Sequence, residues 1–247
     1  FWQFRPYVEG ETMARIDWRR SARDDHIYVR DLEWEAAHTV WLWADPSPSM
    51  LYKSQLGNVS KESRALVLIL ALAELLSRSG ERIAWPGLTD PFSSRNGAER
   101  LAARLHHAER FTARPNLAPV SRYSDVVLAS DFLDPVEETI AWLDPLAERG
   151  VRAHLIEVSD PAEETFPYSG RTEFHDPESG EKLTAGRAET LSEDYRRLYA
   201  ARRDQLAAWC GRLGWSYTVS RTDRLASDTL VKVHMAMTVN AGSGGGR

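Results

Sequence analysis

The stretch Thr39-Val-Trp-Leu-Trp-Ala-Asp-Pro-Ser-Pro-Ser49 changes character halfway along. Its first six residues are β-branched, aromatic or aliphatic, the composition of a strand buried on both faces. The next five are turn formers, and two prolines stiffen them and withdraw backbone donors. Lys61 to Arg78 follows as a predicted helix, with Gly80 as its stop signal. Its middle, Ala65 to Ala73, is apolar on every side, which predicts a wholly buried helix. A buried strand, a tight polar turn and a buried helix form the opening unit of a sheet of parallel strands.

Outward from this unit the alternation continues. Short strands are expected at Arg82–Trp85, Asp125–Ser130, Val151–Val158 and Trp215–Val219, and helices at Ala98–Arg110, Val136–Arg149, Glu193–Leu213 and Ser227–Met237, the last capped by Ser227 or Asp228. Residues 159–190 are rich in loop formers, with Asp176-Pro-Glu-Ser-Gly-Glu181 as a turn between two short strands. The expected fold is α/β and doubly wound, a mostly parallel central sheet with helices on both faces. Before it, residues 1–36 read as an extension. It has an extended piece around Trp2, Phe4 and Tyr7, a polar Arg-rich segment, and an alternating strand over Ile27–Trp34. The folded domain is expected over 37–240, with a flexible tail over 241–247.

Composition narrows the function classes. The 247 residues include 36 acidic and 31 basic side chains, a formal charge of −5, which speaks against a general nucleic-acid binder. Apolar residues make up 43% and there are nine Trp, enough for a substantial core. The single cysteine, Cys210, excludes an internal disulfide framework and a Cys-rich zinc site. The longest apolar run, Ala65 to Leu76, includes Glu74 and falls well short of the ~20 residues that cross a bilayer. No signal peptide is visible, and a reducing, cytoplasmic setting is expected.

In doubly wound sheets, ligands sit beyond the carboxyl ends of the strands, where the winding reverses. Asp45, Ser47 and Ser49 stand at one such end and Asp131 follows another. Together they offer hard oxygen ligands suited to Mg²⁺. The bland alternative is that they are ordinary turn and cap residues. His106 and His107 are adjacent and diverge by about 100° on a helix, so they cannot share an ion. His38, His154 and His234 are expected as core histidines, Cys210 as an inert buried thiol, and Trp41 and Trp43 as core. Nucleophile-elbow, phosphate-loop and zincin motifs are missing from the sequence.

These residues resemble the von Willebrand factor A-type domains, whose metal-ion-dependent adhesion site uses Asp-x-Ser-x-Ser, then a Thr, then an Asp. The chain is more specifically similar to the bacterial domain of unknown function 58 family, from about Tyr7 to Met237. Gly10-Glu11, the run Arg15-Ile-Asp-Trp-Arg-Arg-Ser-Ala-Arg23, Asp45-Pro-Ser-Pro-Ser-Met50, Ser130-Asp131-Phe132 and Asp176-Pro-Glu-Ser-Gly180 carry that likeness. The resemblance implies Mg²⁺, or Mn²⁺ or Ca²⁺, at Asp45, Ser47, Ser49 and Asp131. It also implies association with a MoxR-type AAA+ ATPase in assembly or maturation of client proteins. The Thr has no clear counterpart; Thr112, Asn116 and Ser121 are the candidates.

Three functions are weighed. The first is a non-enzymatic interaction module whose ion links two proteins. The second is a metal-free scaffold of the same fold. The third is a Mg²⁺-dependent hydrolase or phosphotransferase with Asp45 as nucleophile, disfavoured because Ser47 stands where proton transfer needs an acid. Arg15, Arg19, Arg20 and Arg23 could grip an acidic partner. The competing view makes them a structural network on Asp17, Asp24 and Asp25, with Ile16 and Trp18 packed beneath.

Overall fold

The computed structural model describes residues 2–7, 16–23, 26–32, 38–108 and 112–242. The chain divides into two compact units, Phe1–Ala37 and His38–Arg247.

In the first unit, β1 (Trp2–Pro6) pairs antiparallel with β2 (Tyr28–Leu32), Trp2 opposite Leu32. A single helical turn, α1 (Trp18–Ser21), lies between them in sequence. Asp17 holds it: its carboxylate accepts the Arg19 N–H at 3.0 Å, and its own N–H reaches the Tyr28 carbonyl at 2.8 Å. The Ser21 hydroxyl donates to the Asp17 carbonyl and accepts the Tyr28 N–H. Ile16 is buried as expected, but Trp18 is 62% exposed and forms no floor beneath the arginines. Trp18 occupies the outer side of a one-turn helix too short to bury two faces.

The second unit is the doubly wound α/β domain. Its six strands are β3 (Thr39–Ala44), β4 (Arg82–Trp85), β5 (Thr89–Phe92), β6 (Asp125–Ser130), β7 (Arg152–Ser159) and β10 (Ser216–Arg221), in spatial order β10-β7-β6-β3-β4-β5. All neighbours are parallel except the β4–β5 pair. Strand β5 was not expected: Asp90 and Pro91 hide it, and Pro is tolerated at a sheet edge because the missing donor faces no neighbour. The helices are α2 (Lys61–Arg78), α3 (Gly97–His106), α4 (Val136–Glu148), the short α5 (Pro161–Thr165), α6 (Ser192–Arg212) and α7 (Ala226–Gly242). Helix α2 packs on β3, β4, β6 and β7 and touches α3 and α7, whereas α4 and α6 pack together on β7 and β10.

The core follows from the sequence periods. Val40, Trp41, Leu42 and Trp43 are buried together with all of β6. Trp43 meets Trp142 of α4 edge-on, with ring centroids 5.6 Å apart, so alternate residues Val40 and Leu42 face the other layer. Helix α2 is not buried all round: Val67 is 54% exposed, because a helix lying on a sheet turns one side to water even where that side is apolar. Helix α7 starts at Ala226, placing Ser227 and Asp228 in its first turn rather than at its cap, and it runs to Gly242, past the expected start of the tail. His234 lies on its exposed side rather than in the core. Strands β8 (Thr172–His175) and β9 (Lys182–Ala185) form a hairpin outside the main sheet. Among the described residues no helix is long and apolar enough to cross a membrane.

Candidate functional site

Strands β3 and β6 are neighbours, and the chain winds outward from them in both directions: to β4 and β5 on one side, to β7 and β10 on the other. The crevice above their carboxyl ends is therefore the switch point. Asp45 and Asp131 are the residues immediately following the two strands, and Asp160 immediately follows β7. Three adjacent parallel strands end in an acid because each must release its last carbonyls into a loop, and an Asx side chain caps that loop's first free N–H.

The Asp45 carboxylate accepts the Ser47 N–H at 2.9 Å on one oxygen and the Ser130 hydroxyl at 2.5 Å on the other. The Ser47 and Ser49 hydroxyls are 3.2 Å apart. The Ser49 hydroxyl then donates to Asp131 Oδ2 at 2.8 Å. The four sequence-predicted residues are thus brought into one continuous chain of contacts. Burial raises the Asp45 pKa above the ordinary carboxylate value; the bonds from Ser130 and Ser47 oppose it and the Asp131 charge adds to it.

Lys61 was missed by sequence reasoning. It is the first residue of α2, directly after the cap Ser60, and it is 0% exposed. Its ammonium donates to Asp131 Oδ2 at 2.8 Å and to Glu163 Oε1 at 2.5 Å. Burial would lower the Lys61 pKa, but the Asp131 and Glu163 charges outweigh it and hold the group protonated. Glu163 is also the last member of a capping box at the start of α5, where it accepts the Asp160 N–H at 2.8 Å. That Asp-x-x-Glu spacing is visible in the sequence; nothing there tells that its Glu turns toward Lys61.

Further contacts fix the rim. Asp160 accepts the Ser54 N–H at 2.9 Å and the Ser54 hydroxyl at 2.5 Å. A Cβ on Gly57 would stand 2.4 Å from Asp160 Oδ2, so the loop approaches the acid as closely as only glycine allows. Phe132 adopts φ +47, and the Arg202 guanidinium bonds the Asp131 and Phe132 carbonyls, holding that strained step in place. From the β8–β9 turn, Glu178 accepts the Ser49 N–H at 3.1 Å. Beside it lies a cavity of about 240 Å³ lined by Lys61, Tyr52, Phe166, Tyr168 and Tyr195. Burial and the nearby Glu163 charge push the Tyr195 hydroxyl up to about 12.

The remaining candidates fall elsewhere. Asn116 accepts the Ala118 N–H and Ser121 pairs with Ser124, so their polar groups are satisfied locally, and Thr112 is exposed. Arg19 and Arg23 are exposed, Arg15 lies outside the described residues, and the Arg20 side chain likewise. Cys210 is buried, and burial pushes its thiol up to about 12, an inert group. His154 is fully buried with Nδ1 at 2.8 Å from the Ser216 hydroxyl, while His38 is only half-buried at the start of β3.

As a metal centre, the arrangement offers hard oxygens but an ammonium already stands against Asp131, and both Asp45 oxygens are engaged. Among the described residues no cluster of three or more His, Cys, Asp or Glu could hold an ion. The donor set with Lys61 in place does not fit a divalent cation.

The family model described as "Protein of unknown function DUF58" matches residues 3–205. The chain belongs to the DUF58 family. Uncharacterized proteins of Mycobacterium bovis and Mycobacterium tuberculosis are each 28% identical to it over 241 residues, covering 89% of this chain and 74% of theirs. Among solved structures, conserved hypothetical protein BatB from Bacteroides thetaiotaomicron aligns with TM-score 0.44 and 14% identity, over 83% of this chain and 99% of that one. An aerotolerance-related membrane protein from Bacteroides fragilis aligns with TM-score 0.43 and 14% identity, over 82% and 99%.

Proposed function

We propose that this DUF58 domain is a non-enzymatic protein-interaction module that docks a partner over the Asp45–Ser49 loop, in the manner of a von Willebrand factor A-type adhesion face. The observation carrying the reading is the chain of contacts from Ser130 through Asp45, Ser47 and Ser49 to Asp131 at the switch point. It is built from hydroxyls and from carboxylates that already accept hydrogen bonds. A hydrolase would need a carboxylate free to attack and a second group to move a proton. Asp45 has neither property: both its oxygens are engaged, and Ser47 stands where the proton carrier would be.

The partner that the family resemblance suggests is a MoxR-type AAA+ ATPase, with the pair acting on client proteins in a cytoplasmic setting. The exposed Arg19 and Arg23, with Arg15 and Arg20, are a second contact for an acidic face of that partner. A metal-dependent form of the same module, with Mg²⁺, Mn²⁺ or Ca²⁺ at Asp45, Ser47, Ser49 and Asp131, is the alternative that the family resemblance implies, and it requires the Lys61 ammonium to leave Asp131.

The test is the affinity of the purified domain for the MoxR-type ATPase of its host, by calorimetry. Ser49→Ala and Asp45→Asn are compared with wild type after circular dichroism shows them folded. A loss of tenfold or more in either supports the docking face. Unchanged affinity in both removes the loop from the interaction. Turnover of a generic phosphate ester that disappears in Asp45→Asn replaces the reading with the enzyme.

A further inference from the structure

We infer that the Lys61 ammonium is the resident cation of this crevice, so that the loop holds its shape without a divalent ion and acquires a divalent-ion site only when Lys61 is removed. The inference rests on reading the crevice as an adhesion-type face.

Position argues first. A lysine at the first residue of a helix is opposed by the helix dipole, whose positive end attracts anions. Here that lysine is also fully buried, although lysine is among the residues almost never buried unless paired. Folding places it against both penalties, so its carboxylate contacts must outweigh them.

Geometry argues second. Asp131 Oδ2 receives the Ser49 hydroxyl and the Lys61 ammonium, each at 2.8 Å. Glu163 Oε1 lies 2.5 Å from the same nitrogen. Two carboxylates, Asp131 just past the end of β6 and Glu163 in the first turn of α5, therefore converge on one positive point, and Asp131 links it to a loop hydroxyl. Calcium–oxygen distances run about 2.3–2.6 Å and magnesium–oxygen distances about 2.0–2.1 Å. Asp131 Oδ2 stands beyond both ranges, at the ordinary length of an ammonium hydrogen bond, and Glu163 Oε1 closes on the same nitrogen as a short charge-assisted pair.

Charge argues third. Asp131 and Glu163 share the Lys61 ammonium, and the Asp131 charge contributes to the raised pKa of both Asp45 and Glu163. The Arg202 guanidinium meets Asp131 and Phe132 through their carbonyls rather than through the Asp131 carboxylate. Without Lys61 these carboxylates would lack a counter-charge, and charges held away from water are kept either by pairing or by coordinating a metal.

Lys61→Met keeps length and apolar volume and removes the ammonium. Thermal unfolding and calorimetry are run on wild type, Lys61→Met and Lys61→Met/Asp131→Asn, with Ca²⁺ or Mn²⁺ as the added probe and a chelator control. Wild type is expected to show no shift in melting temperature with either ion. Lys61→Met is expected to melt lower without metal and to rise by about 5–10 °C when the ion reaches a hundredfold excess over its Kd. The double variant should lose that response. Wild-type stabilisation by either ion overturns the inference, as does a folded Lys61→Met that binds neither. If Lys61→Met does not fold, Mn²⁺ titration of wild type followed by electron paramagnetic resonance decides: bound Mn²⁺ overturns the inference, and its exclusion from the crevice supports it. The readout is metal uptake, so failure here leaves the docking test with the ATPase untouched, and the reverse also holds.

Discussion

Glu157 is the acid on which the far side of the crevice is braced, and replacing it should have a large effect. It is 0% exposed, two residues before the end of β7. Its oxygens receive the Arg203 guanidinium at 2.8 and 3.0 Å, Arg202 at 3.2 Å and the Tyr199 hydroxyl at 3.2 Å. Tyr217 also donates to it. Removing one member of a buried ion pair typically costs about 3–5 kcal/mol, because the partner charge is left without compensation. Two features lower the figure here. Arg203 keeps Glu164 at 2.7 Å, and Arg202 keeps the Asp131 and Phe132 carbonyls. Glu157→Gln also keeps one acceptor oxygen but turns an N–H₂ toward a guanidinium or a phenol. A charge-assisted hydrogen bond is worth about 1.5–3 kcal/mol, so the expected loss is about 2–3 kcal/mol. Urea unfolding at pH 7 measures it, with the slope unchanged so that midpoints compare directly. Amide exchange should also speed up at Phe132 and Leu133, because Arg202 would be held less firmly against the carbonyls of that turn. A loss below about 1 kcal/mol would mean that the network adds geometry without stability.

Four further outcomes follow from particular contacts. Asp45 has a pKa raised by burial, so the folded state binds its proton more tightly than the unfolded chain, and stability falls as pH rises from about 4 through the raised value. Asp45→Asn removes that proton, so its midpoint in urea should gain on wild type between pH 4 and 7; a constant gap contradicts the burial argument. Lys61 titrates above its ordinary value, so its contribution is complete below about pH 10.5 and lost above it. Wild type should therefore show an alkaline loss that Lys61→Met lacks, and parallel alkaline profiles would refute the pairing. Gly97→Ala would place a Cβ 1.9 Å from the Ser77 hydroxyl between α3 and α2, costing about 1–3 kcal/mol in calorimetric unfolding; a neutral result would mean that the two helices separate freely. Arg114→Ala, in contrast, breaks only the exposed pairs with Asp134 and Glu138 and should change stability by no more than about 1 kcal/mol in the same assay.

The contrast between buried and exposed pairs also explains what could be read from the sequence. Strands β3 and β6 are buried on both faces, so they appear as apolar runs, and β7 keeps that pattern around the buried His154 and Glu157; the acids that follow the three strands mark the switch point. The Asp-x-Ser-x-Ser loop was legible for the same reason: its neighbours fix its place. Strand β5 was not, because an edge strand carries no apolar run and can hold Pro91. Trp18 misled because a large aromatic suggests burial, and only the length of its helix says otherwise. Lys61 and Glu163 are far apart in sequence and meet only because α2 follows β3 and α5 follows β7, the two strands that flank β6. A lysine beside a serine cap looks like a solvated surface charge until the fold is known. Glu178 lay in a recognised turn, but its reach to Ser49 depends on where the β8–β9 hairpin stands.

The decisive measurement is the affinity of the proposed MoxR-type partner for a domain altered at a single hydroxyl. Ser49 is half-buried in the crevice, and Ser49→Ala removes its link to Asp131 without adding bulk. Kd is expected to weaken by tenfold or more in calorimetry, with melting temperature close to wild type. A Kd equal to wild type, in a variant that is folded and equally stable, would mean that the crevice above β3 and β6 is not a docking face for the proposed partner.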